Sequence, residues 1–426
     1  MSWQKAAWLL AGDQVCLAIM AQTWSLSVLG WVPGLITMLV AGVFFWFTSM
    51  TMHKFIMRHS HIRDICDFAS YCVGGSRIAY EAAGVMLTIN NVMIIGFHIF
   101  TGAKIINTLS DHAHCTVIYS VIVMILGIIM SLPRTLRHVS LMSMFSAACM
   151  ALSILLFVVY VGIEDAPSNG PGKKVYPQLG PVKSYNYPPK GTSFVGIMNA
   201  VLNITFLWVP QILFPTFIAE MERPQDFPKA LAVLTAISAV LFTVPPAIGF
   251  YFLGQYSTAP AFGSLGLPKF KKSSFAFVIV PTLVIGVIYA NVSAKFIYNR
   301  IMGSSRHAHS HTVTGWSAWI AVMATIWAVA FIFAEVIPSM GDFLSLLGAA
   351  FDSFFGFIFF ALAYFNMHRG NYFAGAKRSL ATIGHVLVML AGLFLLGPGL
   401  YAAVDAIIDD YSGSTTPAFT CADSSL

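Results

Sequence analysis

Charged side chains are what this sequence has least of. Asp, Glu, Lys and Arg together make up 9% of its 426 residues, whereas 58% are hydrophobic. A soluble domain carries about 25% charge, so this chain cannot cover a water-facing surface, and most of its surface must face lipid. Other absences narrow the reading further. The six cysteines, Cys16, Cys66, Cys72, Cys115, Cys149 and Cys421, follow no zinc or redox spacing. No nucleophile–base constellation, metal motif or phosphate loop is visible, which argues against an enzyme and calls for no cofactor. There is no nucleic-acid signature, and the net charge of +6 in a chain of this kind mostly records membrane orientation. Nothing at the N-terminus reads as a cleavable signal. The first apolar segment carries Asp13, is long enough to span, and has no small-residue cleavage site after it.

What is present is a succession of apolar stretches, each near the roughly 20 residues that a spanning helix needs. They fall at 5–28, 31–52, 78–106, 116–133, 140–162, 193–217, 229–253, 275–297, 315–337, 343–365 and 381–407. The fold class is therefore an all-α polytopic membrane protein of about eleven helices, with the lipid bilayer as solvent. The longest connections are 53–77, 163–192, 254–274 and 298–314. Orientation follows from the basic residues. With the N-terminus cytoplasmic, the inside segments hold Lys5, Lys54, Arg58, Arg63, Arg77, Arg134, Arg137, Arg223, Lys229, Lys295, Arg300, Arg306, Arg369, Lys377 and Arg378. That is fifteen of the 23 Lys and Arg, and the short inside loops decide the matter. Eleven helices then put the C-terminus outside. Cys66 and Cys72 fall in a cytoplasmic loop, where thiols stay reduced.

Polar groups inside spans are costly and mark either a solute path or structural bonding between helices. The sixth span carries Asn199, Asn203 and Pro210 on one face, and Pro210 and Pro215 favour a break. The third carries Glu81, Thr88, Asn91 and His98 within an arc of about 100°. Asp13 lies roughly 13 Å into the first span, where a carboxyl group accepts a proton or pairs with Lys295. Asp352 lies near the midplane of the tenth span, with Ser345, Gly348 and Gly356 at helical spacing. Small residues around an acid leave room for a ligand, or permit close packing with the acid paired to a base. Glu220, Glu222 and Asp226 follow the sixth span and belong to an inner gate or to solvent.

Several stretches resemble the amino acid/auxin permease family, in its fungal neutral amino acid permease branch. The longest is FVGIMNAVLNITFLWVPQILFPTFIAEMERPQDFPKAL at 194–231. Others are LGWVPG at 29–34, HIFTGAKIINTLSDHAHC at 98–115, SLPRTLRHVS at 131–140, APAFGS at 259–264, IPSMGDFLSLL at 337–347 and FTCAD at 419–423. They occur in order across nearly the whole chain. The resemblance implies two inverted five-helix repeats, at about 5–162 and 193–365, separated by the external loop 163–192 and followed by an extra helix at 381–407. It also implies proton-coupled uptake of amino acids through a single transmembrane domain, with plasma membrane as the expected location and vacuolar or other internal membranes as alternatives.

In such a fold the first and sixth helices break near the midplane, and their exposed backbone binds the solute. The resemblance therefore puts substrate binding at Ala18, Ala21, Gln22 and Thr23, at Asn199, Asn203, Trp208, Pro210 and Gln211, and at Asn291. It puts proton coupling at Asp13 and at His98, whose titration range suits a relay. Here the chain departs from the family. The family's Gly-x-Leu-Ser-Leu-Pro run in the first helix is replaced by AIMAQT, and the sixth-helix small-Gly-His by Val209, Pro210 and Gln211. A Gly-His in the eighth helix becomes Ala290 and Asn291. Asp352 stands where the family is usually small and uncharged. These changes point to a pocket rebuilt around a solute whose positive charge matters, an amino acid or amine-bearing metabolite. The rival expectation is a sensor that binds solute without turnover, favoured by the missing Gly and Pro. Cys115 and Cys421, both external and both in matching stretches, are expected either to form a disulfide or to remain two free thiols.

Overall fold

The computed structural model describes residues 1–134, 139–165, 180–303, 305–307, 311–412 and 418–425. Arg137, which entered the orientation argument, lies outside these residues, as does much of the loop 163–192. The described chain is helical, with no β-strand. In order, the helices are α1 (Trp3–Gln14), α2 (Gln22–Leu29), α3 (Trp31–Arg58), α4 (Ile65–Cys72), α5 (Arg77–Leu109), α6 (Thr116–Ser131), α7 (Val139–Ile163), α8 (Phe194–Leu207), α9 (Phe214–Glu220), α10 (Phe227–Leu253), α11 (Pro268–Met302), α12 (Val313–Val336), α13 (Met340–Met367) and α14 (Ala376–Ser412). Among the described residues nine helical segments are long and apolar enough to cross a membrane, one of them the interrupted pair α8–α9. The interrupted pair α1–α2 and the shorter α6 bring the crossings to about eleven. The protein is an integral membrane protein, and α4 is a short helix in the connection after the second crossing.

Helix starts are written in the sequence as hydroxyl caps. Ser193 Oγ accepts the Gly196 N–H at 3.0 Å, Thr312 Oγ1 that of Gly315 at 3.2 Å and Ser339 Oγ that of Asp342 at 3.1 Å; each satisfies a backbone donor left over at a helix N-terminus. At the start of α3 the loop supplies acceptors instead. Trp31 and Val32 donate their N–H groups to the carbonyls of Tyr185 and Asn186 at 2.9 and 3.0 Å. This contact requires Gly30, whose φ is +79° and where a Cβ would stand 2.7 Å from the Tyr187 nitrogen.

α11 packs along α5 and α7, and α12 packs along α5. α1 lies against α10 and α7, α2 against α8, and α13 against α8 and α14. Lipid offers no hydrophobic drive between helices, so close packing over small residues holds such a bundle together. Gly127 of α6 is the clearest case. A Cβ there would lie 2.1 Å from the Trp327 ring of α12, and that ring is held by its Nε1–H to Ser131 Oγ at 3.3 Å. A buried indole cannot yield as a flexible chain end does. Gly127→Leu is therefore expected to destabilise the protein by about 1–3 kcal/mol, read as a lower midpoint in thermal unfolding of the detergent-solubilised protein. An unchanged midpoint would show that α6 and α12 do not pack this way.

Cys115 and Cys421 are joined in a disulfide. The tail after it is held against the end of α5 and the start of α6. Thr116 Oγ1 donates to the Ala422 carbonyl at 2.7 Å, and Asn107 Nδ2 donates to Asp423 Oδ1 and Ser424 Oγ at 3.2 Å each. The Ser425 backbone N–H on Asp423 holds that carboxyl below its usual range. Disulfides persist in oxidising compartments, so this face is the one turned away from the cytosol. On the other face Cys66 is buried in α4, and burial pushes its thiol up; it has the character of a packing residue rather than of a nucleophile.

Candidate functional site

Two of the crossings do not run straight. α1 ends at Gln14, Val15 and Cys16 leave helical geometry at φ −79°, ψ 82° and φ −126°, ψ 171°, and a 3₁₀ turn over Leu17–Ala21 leads into α2. The break falls just ahead of the AIMAQT run and forms without the Gly and Pro whose absence had favoured a sensor. α8 ends at Leu207, and after Trp208 and Val209 a 3₁₀ turn, Pro210–Ile212, precedes α9 with Pro215 in its first turn. Proline at these positions lacks the N–H that a continuous helix needs. Irregular backbone at membrane depth is tolerated only where other groups satisfy it, and here Gln14 does so. Its Nε2 donates to the Leu207 carbonyl at 3.1 Å, and its Oε1 accepts from Ser238 Oγ of α10 at 2.7 Å. One side chain thus stitches the two breaks together.

Between the breaks lies a cavity of about 70 Å³. Of the residues expected from sequence it is bordered by Asp13, Ala18, His98, Pro210 and Asp352, and in addition by Gln14, Asn90, Phe97 and Tyr289. Asp352 and His98 are buried. Among the described residues Asp352 Oδ2 and His98 Nδ1 have no hydrogen-bond partner, and no ion pair joins Asp13 to Lys295. Two carboxyl groups therefore face one small space whose only basic lining residue among those described is His98, with no Lys or Arg. A carboxylate so placed must be neutralised by a proton or by a cation. Gly356 brings α13 close enough to complete the wall: a Cβ there would meet Val209 Cγ2 at 2.7 Å.

A second group of expected residues forms a plug on the external side of this cavity. Asn203 Nδ2 donates to the Asn199 carbonyl at 2.8 Å, to Ser345 Oγ at 2.9 Å and to the Gly341 carbonyl at 3.2 Å. Gln22 Nε2 donates to the Asn203 carbonyl at 2.9 Å and to that of Ala18 at 3.3 Å. Helices α2, α8 and α13 are thereby tied to one another. Beyond the plug a wider cavity of about 350 Å³ carries Asn199 in its wall.

The remaining expected residues border neither cavity. Trp208 turns away and packs on Phe45 and Phe242, with ring centroids 5.5 and 5.1 Å apart. Gln211 donates to Thr48 Oγ1 at 3.3 Å, and Asn291 to the Val287 carbonyl of its own helix at 3.0 Å. Ala21 and Thr23 are buried, Thr23 against Gly249. The polar stripe on the third crossing needs correction. Glu81 does not face the interior with His98; it pairs with Arg300 at a partly exposed end of α5. Thr88 bonds to the Gly84 carbonyl at 2.8 Å. Asn90, not Asn91, reaches the cavity. Sequence reasoning missed Gln14, Asn90 and Tyr289. The signal for Asn90 was present, since two adjacent asparagines in a span leave open which one faces inward.

Four similarities bear on the chain as a whole. A family model described as transmembrane amino acid transporter protein matches residues 1–404. A protein of Gibberella moniliformis named transmembrane transporter is 29% identical over 430 residues, covering 100% of this chain and 88% of its own length. The N amino acid transport system protein of Neurospora crassa is 25% identical over 425 residues, 99% of this chain and 88% of its own length. A transmembrane transporter of Fusarium pseudograminearum is 28% identical over 427 residues, with 100% and 88% covered.

Proposed function

Because the chain belongs to the transmembrane amino acid transporter family, we propose that it is a secondary transporter that couples protons to the movement of an amine-bearing solute, an amino acid or a related metabolite. The observation that carries this reading is that Asp13 and Asp352 border one buried cavity at the breaks of the first and sixth crossings. A solute ammonium held at Asp352 and a proton held at Asp13 would together neutralise both carboxylates. Neither alone leaves the cavity uncharged, so each favours the binding of the other, and that mutual dependence is what couples two ligands in one cycle. His98 stands beside them as a second proton acceptor. The broken-helix residues Ala18 and Pro210 border the same cavity, as expected of a solute site at helix breaks. Phe97 and Tyr289 supply apolar wall.

We read the chain as two five-helix units related by inverted topology, with α14 added, and the plasma membrane as its place of work. The test is uptake into liposomes holding the purified protein, with a panel of radiolabelled amino acids and biogenic amines, with and without an acid exterior. Accumulation above the external concentration is expected for amine-bearing solutes when the exterior is acid, and equilibration alone when it is not. Binding of a solute without any flux, with protein inserted and folded, would favour the sensor instead.

A further inference from the structure

The external cavity beyond the plug carries two carboxyl groups, Asp342 from the start of α13 and Asp410 from the end of α14. Both line the same cavity and interact electrostatically. Two neighbouring carboxyl groups both ionise only where something positive lies between or beside them, and otherwise one keeps a proton. Lys104, whose ammonium lies over the Phe100 ring at 4.3 Å, is within electrostatic reach of both. The Ser339 hydroxyl donates to Asp342 Oδ2 at 2.7 Å and fixes that carboxyl.

A second, independent feature points the same way. Asn199 borders the same cavity, is 6% exposed, and its Oδ1 has no hydrogen-bond partner among the described residues. An orphaned buried amide oxygen is an acceptor waiting for a donor. Trp24 adds an aromatic surface to the wall, and aromatic faces attract cations. Two carboxylates, an unpaired carbonyl oxygen and an indole all favour a positively charged donor, and a space of about 350 Å³ admits a small organic one.

We propose that this cavity is a second binding site, in which Asp342, Asp410 and Asn199 hold the ammonium group of a small organic cation outside the plug. The site is separate from the central cavity and concerns capture from the outer solution. Opening the plug formed by Gln22, Asn203 and Ser345 would pass such a cation inward to Asp352, and that step alone rests on the function proposed above.

The test places a reporter thiol in the cavity wall. Ala406 borders it and is half-buried, so Ala406→Cys is made in the full chain, and intact cells are treated with a methanethiosulfonate bearing a trimethylammonium group or with its sulfonate counterpart. The parent chain, with its own free cysteines, gives the background, and surface labelling confirms that each variant reaches the membrane. The cationic reagent is expected to react roughly tenfold faster than the anionic one, beyond their intrinsic difference. Ethylammonium should slow it, and propionate should not. Adding Asp410→Asn, or separately Asp342→Asn, should bring the two rates toward parity and abolish protection by ethylammonium. A thiol that neither reagent reaches, or a charge preference that both carboxamide variants leave intact, would overturn the proposal. These rates read the outer cavity alone, so they stand or fall independently of any effect of a pH gradient on uptake.

Discussion

Replacing Asp13 by Asn is expected to leave a protein that moves solute but no longer concentrates it. Asn keeps the size of the side chain and cannot take up a proton. If Asp13 carries the coupled proton, each pH unit of gradient is worth about 1.4 kcal/mol, or tenfold accumulation for one proton per solute. Across two pH units the unmodified protein should approach about 100-fold accumulation, and Asp13→Asn should stop near equality. Exchange of labelled for unlabelled solute should survive, because it needs no net proton movement. The measurement is uptake and counterflow in liposomes across a series of pH gradients. Asp13 borders the central cavity together with His98, so His98→Gln is the necessary companion. If His98→Gln uncouples transport and Asp13→Asn does not, the proton acceptor is the histidine. If Asp13→Asn accumulates solute as before, the role given to Asp13 is wrong.

Replacing Asp352 by Asn should act on recognition instead. The side chain is buried, one carboxylate oxygen has no partner among the described residues, and its neighbours across the cavity are largely apolar. A solute ammonium would be the charge that completes it. Removing one partner of a buried, hydrogen-bonded charge pair costs about 2–3 kcal/mol at the lower end of what is observed, or roughly 30- to 150-fold in affinity. The loss should appear in the half-saturating concentration for cationic and zwitterionic solutes, and it should be largest for solutes with no carboxylate to bind elsewhere. Uptake kinetics for an amine and for the matching amino acid, corrected for protein at the surface, give the answer. Equal handling of both solutes by a folded Asp352→Asn protein would remove Asp352 from the pocket.

Much of this protein was legible before any coordinates. The expected crossings coincide closely with the helices found, from 31–52 against Trp31–Arg58 to 381–407 against Ala376–Ser412. The break in the sixth crossing could be read from Pro210 and Pro215. The break in the first could be read only through the family resemblance, since the usual Gly and Pro are missing. The site was legible in part. Asp13, Ala18, His98, Pro210 and Asp352 meet at one cavity, whereas Trp208, Gln211 and Asn291 point elsewhere. A helix turns about 100° per residue, so a one-residue choice between Asn90 and Asn91 decides whether the side chain borders the cavity. Spacing fixes which residues share a face but not which way that face is turned. In α13 even the shared face was uncertain. Gly348–Ile358 runs as a π-helix, whose wider turn shifts the phase of everything counted from Asp352 at ordinary helical spacing.

By itself the sequence determined that this chain lives in a membrane, how many times it crosses, and to which family it belongs. Membrane residence and the crossings are sums over many residues, set by the cost of placing charge and unpaired backbone in hydrocarbon, and family membership rests on likeness over residues 1–404, so no single contact can reverse them. Only the tertiary structure decided that Gln14 bridges the two broken helices, that Asn203 and Gln22 tie α2, α8 and α13 together, and that Asp342 and Asp410 line one outer cavity. Each of these pairs residues far apart in the chain, and their meeting depends on the rotation and depth of separate helices, which packing over residues such as Gly356 and Gly127 sets.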